Sequence, residues 1–176
     1  GAITSGQGNI AIGYQSLDAE DDGDFNTAVG YQALTAQTGT SGTVGNTAVG
    51  YQAGIAITSA TQNTIIGDRA GYTNQTGVSN TYVGANAGYG GAGSEAYNVG
   101  IGKDALVAVT DGSNNTVIGS GAGDALTGGE QNVAVGANSL STSTGVDKTV
   151  AIGYSALNAL TSGAGNTALG YQSMLV

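Results

Sequence analysis

Apolar and polar positions alternate in a short unit that returns ten times along the chain, each copy centred on a glycine: Gly13, Gly30, Gly50, Gly67, Gly84, Gly102, Gly119, Gly136, Gly153 and Gly170. The residue three before the glycine is always β-branched, as in Thr27, Thr47, Thr64 and Val99, and the residue one before is always aliphatic, as in Val29, Val49, Ile66 and Leu169. Side chains two apart on an extended chain share a face. Each copy therefore predicts a short strand with these two positions on a buried face. The position between them is Ala11, Ala28, Ala48, Ala134, Ala151 or Ala168, and otherwise Ile65, Tyr82, Gly100 or Val117. On this reading it points outward, as a tolerated apolar surface or as a subunit interface that alanines open to a close neighbour.

Successive glycines are 17, 20, 17, 17, 18, 17, 17, 17 and 17 residues apart. A period this short marks a solenoid, in which each repeat is one coil stacked on the last. No 3.6-residue periodicity appears, and helices are not expected, since a glycine within a helix costs about 1 kcal/mol. The prediction is an all-β, parallel β-solenoid (β-roll) of about ten coils with a 17-residue repeat, its rungs about 4.8 Å apart and its length about 48 Å. Val29, Val49 and Ile66 are expected in file, as are Gly30, Gly50 and Gly67, with glycine at a tight corner or at φ > 0. Asparagine stands four before the glycine in nine copies, Asn26, Asn46 and Asn63 among them, with Thr149 the exception. Asparagine suits a left-handed turn, and its amides can bond from coil to coil. A second strand is predicted after the glycine, clearest at 54–58, 106–110 and 157–161. A Thr/Ser/Gly/Asp-rich outer loop then takes up the length variation, including the insertion around Gln37 to Val44.

Composition narrows the field. The 176 residues include 33 glycines and no proline, cysteine, histidine or tryptophan. The returning branched aliphatics argue against a disordered linker, and missing proline fits amides committed to a ladder. A net charge of −9 with three basic residues disfavours nucleic acid and anionic membranes as partners. No apolar run reaches the roughly 20 residues of a spanning helix, so no membrane insertion is expected. Residues 2–9 mirror residues 159–166. Residues 1–176 thus read as one solenoid domain that begins midway through a coil, a segment of a longer fibrous protein.

The stretch Asn26-Thr27-Ala28-Val29-Gly30-Tyr31-Gln32-Ala33-Leu34, nearly repeated at Asn9, Asn46 and Asn166, resembles a repeat of phage tail fibres. Residues 150–156, Val-Ala-Ile-Gly-Tyr-Ser-Ala, and residues 133–136 resemble the head repeat of trimeric autotransporter adhesins, which form left-handed parallel β-rolls. The resemblance implies a left-handed, parallel homotrimeric fibre outside the cell, on a bacterial surface or a virion, built for attachment. The adhesin coil is shorter than 17 residues, and their neck, stalk and anchor have no counterpart here.

Chemistry finds few footholds. Without histidine or cysteine the hydroxyls have no evident base, and Asp21 and Asp22 lack the apolar surroundings that tune a glycosidase acid. Neither catalytic residues nor a cofactor site is expected. Asp18, Glu20, Asp22 and Asp24 fall in an acidic run that opens like a calcium loop, although Val29 stands where its closing acid belongs. Calcium is the one cofactor this admits, against a plain solvated loop. The G-x-G-x-x-G match at 88–93 lacks a βαβ context and predicts no nucleotide, and the sequons at Asn74 and Asn114 carry little weight. Tyr14, Tyr31, Tyr51, Tyr154 and Tyr171 share one position, and so should line one edge, either stacking from rung to rung or offering aromatic contacts to a cell-surface glycan or receptor.

Three functions suit such a rod: a fibre or adhesin segment assembled from copies of itself, a self-assembling head-to-tail filament, and an ice-binding solenoid. The first is preferred. Against the third, the threonine column has four aliphatic interruptions and no second column beside it.

Overall fold

The computed structural model describes residues 5–38, 42–90 and 93–175. Ten three-residue strands stack in chain order into one parallel sheet: Ile10–Ile12, Thr27–Val29, Thr47–Val49, Thr64–Ile66, Thr81–Val83, Val99–Ile101, Thr116–Ile118, Val133–Val135, Val150–Ile152 and Thr167–Leu169. The register never slips, so Val29 lies beside Val49 and Val49 beside Ile66. The chain is a parallel β-solenoid, and no helix occurs among the described residues. Gly23–Asp24 pairs with Gly42–Thr43 in a small second sheet. It joins the outer loop of the coil before Gly30 to that of the long coil, where the insertion falls, and residues 39–41 lie outside the described residues.

The faces of the sheet are the reverse of the expected ones. The middle position of each strand is the buried one: Ala28, Ala48, Ile65, Tyr82, Val117, Ala134 and Ala151 are fully enclosed. The flanking threonines and aliphatics point away from the coil, with Ile66, Ile118 and Ile152 each more than a third exposed. A period of two assigns residues to faces without saying which face is inside. Here both faces are apolar, so polarity could not break the tie. The lumen of a 17-residue coil takes one side chain from each strand, whereas the two flanking positions suit an open sheet surface.

The lumen is filled in pairs. The fourth residue after each glycine also points inward, as Leu34, Leu106, Leu140 and Leu157 show. In most coils whose strand contributes a small residue the opposite position is large: Ala28 with Leu34, Gly100 with Leu106, Ala134 with Leu140, Ala151 with Leu157; Ala48 instead faces Gly54, where Leu34, Ile57 and Ile65 close on the gap. Where the strand residue is large the partner is glycine: Ile65 with Gly71, Tyr82 with Gly88, Val117 with Gly123. A Cβ added at Gly88 would sit 2.4 Å from the Tyr82 ring. Interiors packed to crystal density respond to single methylenes. The double variant Tyr82→Ala/Gly88→Leu, which recreates the Ala134/Leu140 pair, is therefore expected to be more stable than the sum of its single variants allows. A double-mutant cycle by urea denaturation should return a favourable coupling of about 1–3 kcal/mol.

The second strand is not formed. Residues 31–36, 51–56 and their equivalents run as consecutive turns, although their amides still bond one coil ahead, as in Leu34 N–H to the Ala53 carbonyl at 3.1 Å. The cause is local. The second and fourth residues after each glycine both adopt left-handed conformations, including Gln32 (φ 55°), Leu34 (φ 50°), Asn138 (φ 54°) and Leu140 (φ 54°). A left-handed residue turns the chain and ends any extended run. Residue three is confined between those corners, which is why it is only alanine or serine. Its serine form bonds inward, Ser139 Oγ donating to the Gly136 carbonyl at 2.8 Å.

Candidate functional site

The outward face of the ten-stranded sheet is a continuous regular surface. One column runs Ile10, Thr27, Thr47, Thr64, Thr81, Val99, Thr116, Val133, Val150 and Thr167; the other runs Ile12, Val29, Val49, Ile66, Val83, Ile101, Ile118, Val135, Ile152 and Leu169. The two columns lie side by side, one rich in threonine and the other wholly aliphatic, so no second threonine column accompanies the first. Neither column holds a charge in a chain of net charge −9. Almost every side chain in both is β-branched, and so is held in few rotamers.

Along one edge the tyrosines stack as a ladder. Tyr14 and Tyr31 have ring centroids 5.3 Å apart, Tyr31 and Tyr51 5.5 Å, and Tyr154 and Tyr171 5.5 Å. A second ladder runs beside it: Gln32 Nε2 donates to Gln15 Oε1 and Gln52 Nε2 to Gln32 Oε1, both at 2.9 Å. Arg69 continues the row, its guanidinium 6.0 Å from the Tyr51 ring centre. Each inner ring spends its faces on its neighbours. Tyr31 and Tyr51 thus offer outward only edges and hydroxyls, whereas Tyr14, Tyr154 and Tyr171 each stack on one neighbour. Tyr72 and Tyr89 form a separate parallel stack, 4.9 Å apart.

The asparagine ladder is buried. Oδ1 of Asn26, Asn46, Asn63, Asn80, Asn98, Asn115 and Asn132 accepts the backbone N–H of the equivalent residue one coil on, at 2.9–3.0 Å. Its Nδ2 donates to a carbonyl in the neighbouring loop, as Asn46 does to Ala60 at 2.7 Å and Asn63 to Gly77 at 2.8 Å. The left-handed residue is not the asparagine but the one before it, such as Phe25 (φ 61°), Gln62 (φ 61°) or Lys148 (φ 54°). The ladder ends at Thr149, whose hydroxyl turns to the Asp147 carbonyl. Asn26 Nδ2, which precedes the long coil, is buried without a partner.

The acidic run does not converge on a metal. Glu20 folds inward, where its Oε1 accepts the backbone N–H groups of Asp21, Asp22 and Gly23 at 2.8, 3.1 and 2.7 Å. Asp22 takes the Ser5 hydroxyl at 2.6 Å and Asp24 the Gln7 N–H at 2.7 Å. Among the described residues no three acidic, cysteine or histidine side chains are grouped to hold a metal ion. The spacing of Asp18, Glu20, Asp22 and Asp24 matched a calcium loop only as long as Glu20 pointed outward. The G-x-G-x-x-G segment lies partly outside the described residues, at 91 and 92, and Asn74 is buried, its Oδ1 accepting the Gly77 N–H at 2.9 Å. Elsewhere, Asp104 is held below the usual carboxylate range by hydrogen bonds from the Lys103 ammonium and the Asn86 amide.

One polar group escaped the sequence reading. Glu95 is fully buried in a column that elsewhere holds mostly glycine or alanine, as at Gly23, Ala60, Gly77, Gly112 and Gly129, with Thr43 and Val146 the exceptions. The signal was available, since a glutamate breaking a small-residue column must go somewhere. Compared with known protein families, curated proteins and solved structures, the chain matches none. The class of protein is thus defined by the fold alone, a parallel β-solenoid with an uncharged outer sheet face.

Proposed function

We propose that this chain is a non-enzymatic structural segment of an attachment fibre, a phage tail fibre or a bacterial surface adhesin, in which copies lie side by side and the rod spaces or presents receptor contacts outside the cell. The observation that carries this reading is the outward sheet face. Exposed apolar patches of this extent mark interaction surfaces, and a stripe of branched side chains without charge matches the dry centre of an interface between subunits. The repeat's resemblance to adhesin heads and tail fibres supports a parallel trimer. The alanine row, read from sequence as either a tolerated outer surface or an interface, is the core of the coil, so the contact falls to the threonine and aliphatic columns.

The test is solution mass of the full chain and of Ile66→Lys/Ile118→Lys. Both positions are more than a third exposed, so the charges can be solvated in a single copy with a stability change within about 0.5 kcal/mol. The wild-type chain is expected at a multiple of its own mass and the double variant at the mass of one chain, with unchanged circular dichroism. A wild type that runs as one chain at all concentrations removes the reading. The paired columns also favour ice binding as a second reading, because they set hydroxyls and methyls side by side on a regular rigid surface. A single-chain wild type that produces thermal hysteresis, lost in the lysine variant, would establish that reading in place of the first.

A further inference from the structure

Glu95 lies fully buried, and neither carboxyl oxygen has a hydrogen-bond partner. Its side chain fills the space that Gly77 leaves one coil earlier: a Cβ at Gly77 would lie 2.7 Å from Glu95 Oε1 and 2.9 Å from Asn74 Oδ1. Asn74 Oδ1 is already bonded to Gly77 N–H. Asn74 Nδ2 and the Tyr82 hydroxyl are buried nearby in the same coil, and they too lack partners. The contrast with Glu20 is instructive, since that buried glutamate spends one oxygen on three backbone N–H groups. Nothing comparable stabilises an anion at Glu95. The titratable groups acting across this region are Tyr82 on the preceding strand and Asp111 in the following coil, and neither is a cation. Burial pushes the Glu95 carboxyl up to about 7, Asp111 adds to the rise, and the residue's own backbone N–H offsets part of it.

We propose that Glu95 makes the joint between the coils of Thr81–Val83 and Val99–Ile101 a pH-sensitive seam, closed while the side chain is a neutral acid and opened when its proton leaves for solvent. The seam is held by ordinary ladder bonds, among them Thr81 N–H to the Asn98 carbonyl at 2.8 Å, Tyr97 N–H to the Val78 carbonyl at 3.1 Å and Gly102 N–H to the Val83 carbonyl at 2.8 Å. In a solenoid each coil contacts only its neighbours, so one seam can part while the coils on either side stay wound. The direction follows from linkage. Below the ordinary carboxyl value of 4.5 the acid is protonated in both the open and the closed seam, and it costs nothing. Between there and about 7 the open seam sheds its proton and the closed one does not, so stability falls as pH rises, and the whole loss is present above 7.

Amide hydrogen exchange on the full chain at pH 5.5 and 8.5, corrected for the intrinsic pH dependence of exchange, tests this. Thr81, Tyr97 and Gly102 are expected to lose protection on the order of a hundredfold at the higher pH, while Thr47 and Val133 change little. Glu95→Gln, which cannot ionise, is expected to abolish that difference, and Glu130→Gln, an exposed acid, to leave it intact. A loss spread evenly along the rod, a loss that survives Glu95→Gln, or a loss that Glu130→Gln also removes would each overturn the proposal. Glu95→Leu serves the same comparison if the amide variant does not fold.

Discussion

Gly102→Ala is expected to destabilise the rod by more than about 4 kcal/mol, an exceptional cost for adding one methyl group. Two independent penalties meet at this position. Its φ of 134° lies in a region that only glycine occupies comfortably, where any other residue costs about 1–3 kcal/mol. The added Cβ would also stand 2.5 Å from the Gly119 carbonyl oxygen and 2.6 Å from its carbon. That obstacle is backbone, which cannot rotate away. Relief requires the two coils to separate, which strains ladder bonds such as Gly119 N–H to the Ile101 carbonyl, and each buried bond left unmade costs about 1–3 kcal/mol. Gly128→Ala is the control: nothing lies within 4 Å of its Cβ, its φ is not positive, and its stability should stay within about 0.5 kcal/mol of wild type. Urea denaturation followed by circular dichroism distinguishes the two. Equal effects would mean that the anchor glycines do not meet one another as described.

Asn115→Ala is expected to cost about 3–5 kcal/mol, the second largest effect in the chain. Asn115 is fully buried, and its amide works in both directions. Nδ2 donates to the Gly129 carbonyl at 2.8 Å and to Asn98 Oδ1 at 3.0 Å, while Oδ1 accepts from the backbone N–H and the Nδ2 of Asn132, both at 3.0 Å. Alanine strands the Asn132 N–H and the Gly129 carbonyl away from water. Asn98 Oδ1 keeps the Asn115 backbone N–H, so the loss stops there. Asn26→Ala should cost about half as much, because Asn26 Nδ2 has no partner to lose and only the bond from Oδ1 to the Asn46 N–H disappears. Comparing the two denaturation midpoints measures what the donor half of the ladder contributes. Equal costs would locate the stabilisation in packing instead.

How much of this was legible beforehand depends on what each residue pattern can encode. Glycine at every seventeenth position or so, with asparagine four before it, announces a stack of coils and a side-chain ladder. Both follow from a repeat that cannot bury anything alone. The tyrosine edge follows from the same arithmetic. The inside and outside of the strand did not follow, because Thr27, Ala28 and Val29 offer no contrast between a greasy and a wet face. The extra strand at 157–161 was misread for a related reason. Its alternation of Leu157, Ala159 and Thr161 looks extended, but Leu157 adopts φ 49°, a conformation that nothing in leucine's own preferences favours. The acidic run misled through spacing. Glu20 caps its own turn, and only the path of the chain shows which way it points.

Sequence alone determined the period, the parallel in-register stack, the glycine corners and the asparagine column, since each is a property of one coil repeated. Tertiary structure decided which side of each strand is enclosed, which pairs of residues share the lumen, and that Glu95 is buried without a partner. Those depend on how the coil closes around its lumen and on the distance between side chains from opposite walls. Residues far apart within one coil meet there, and no local pattern records the volume left between them.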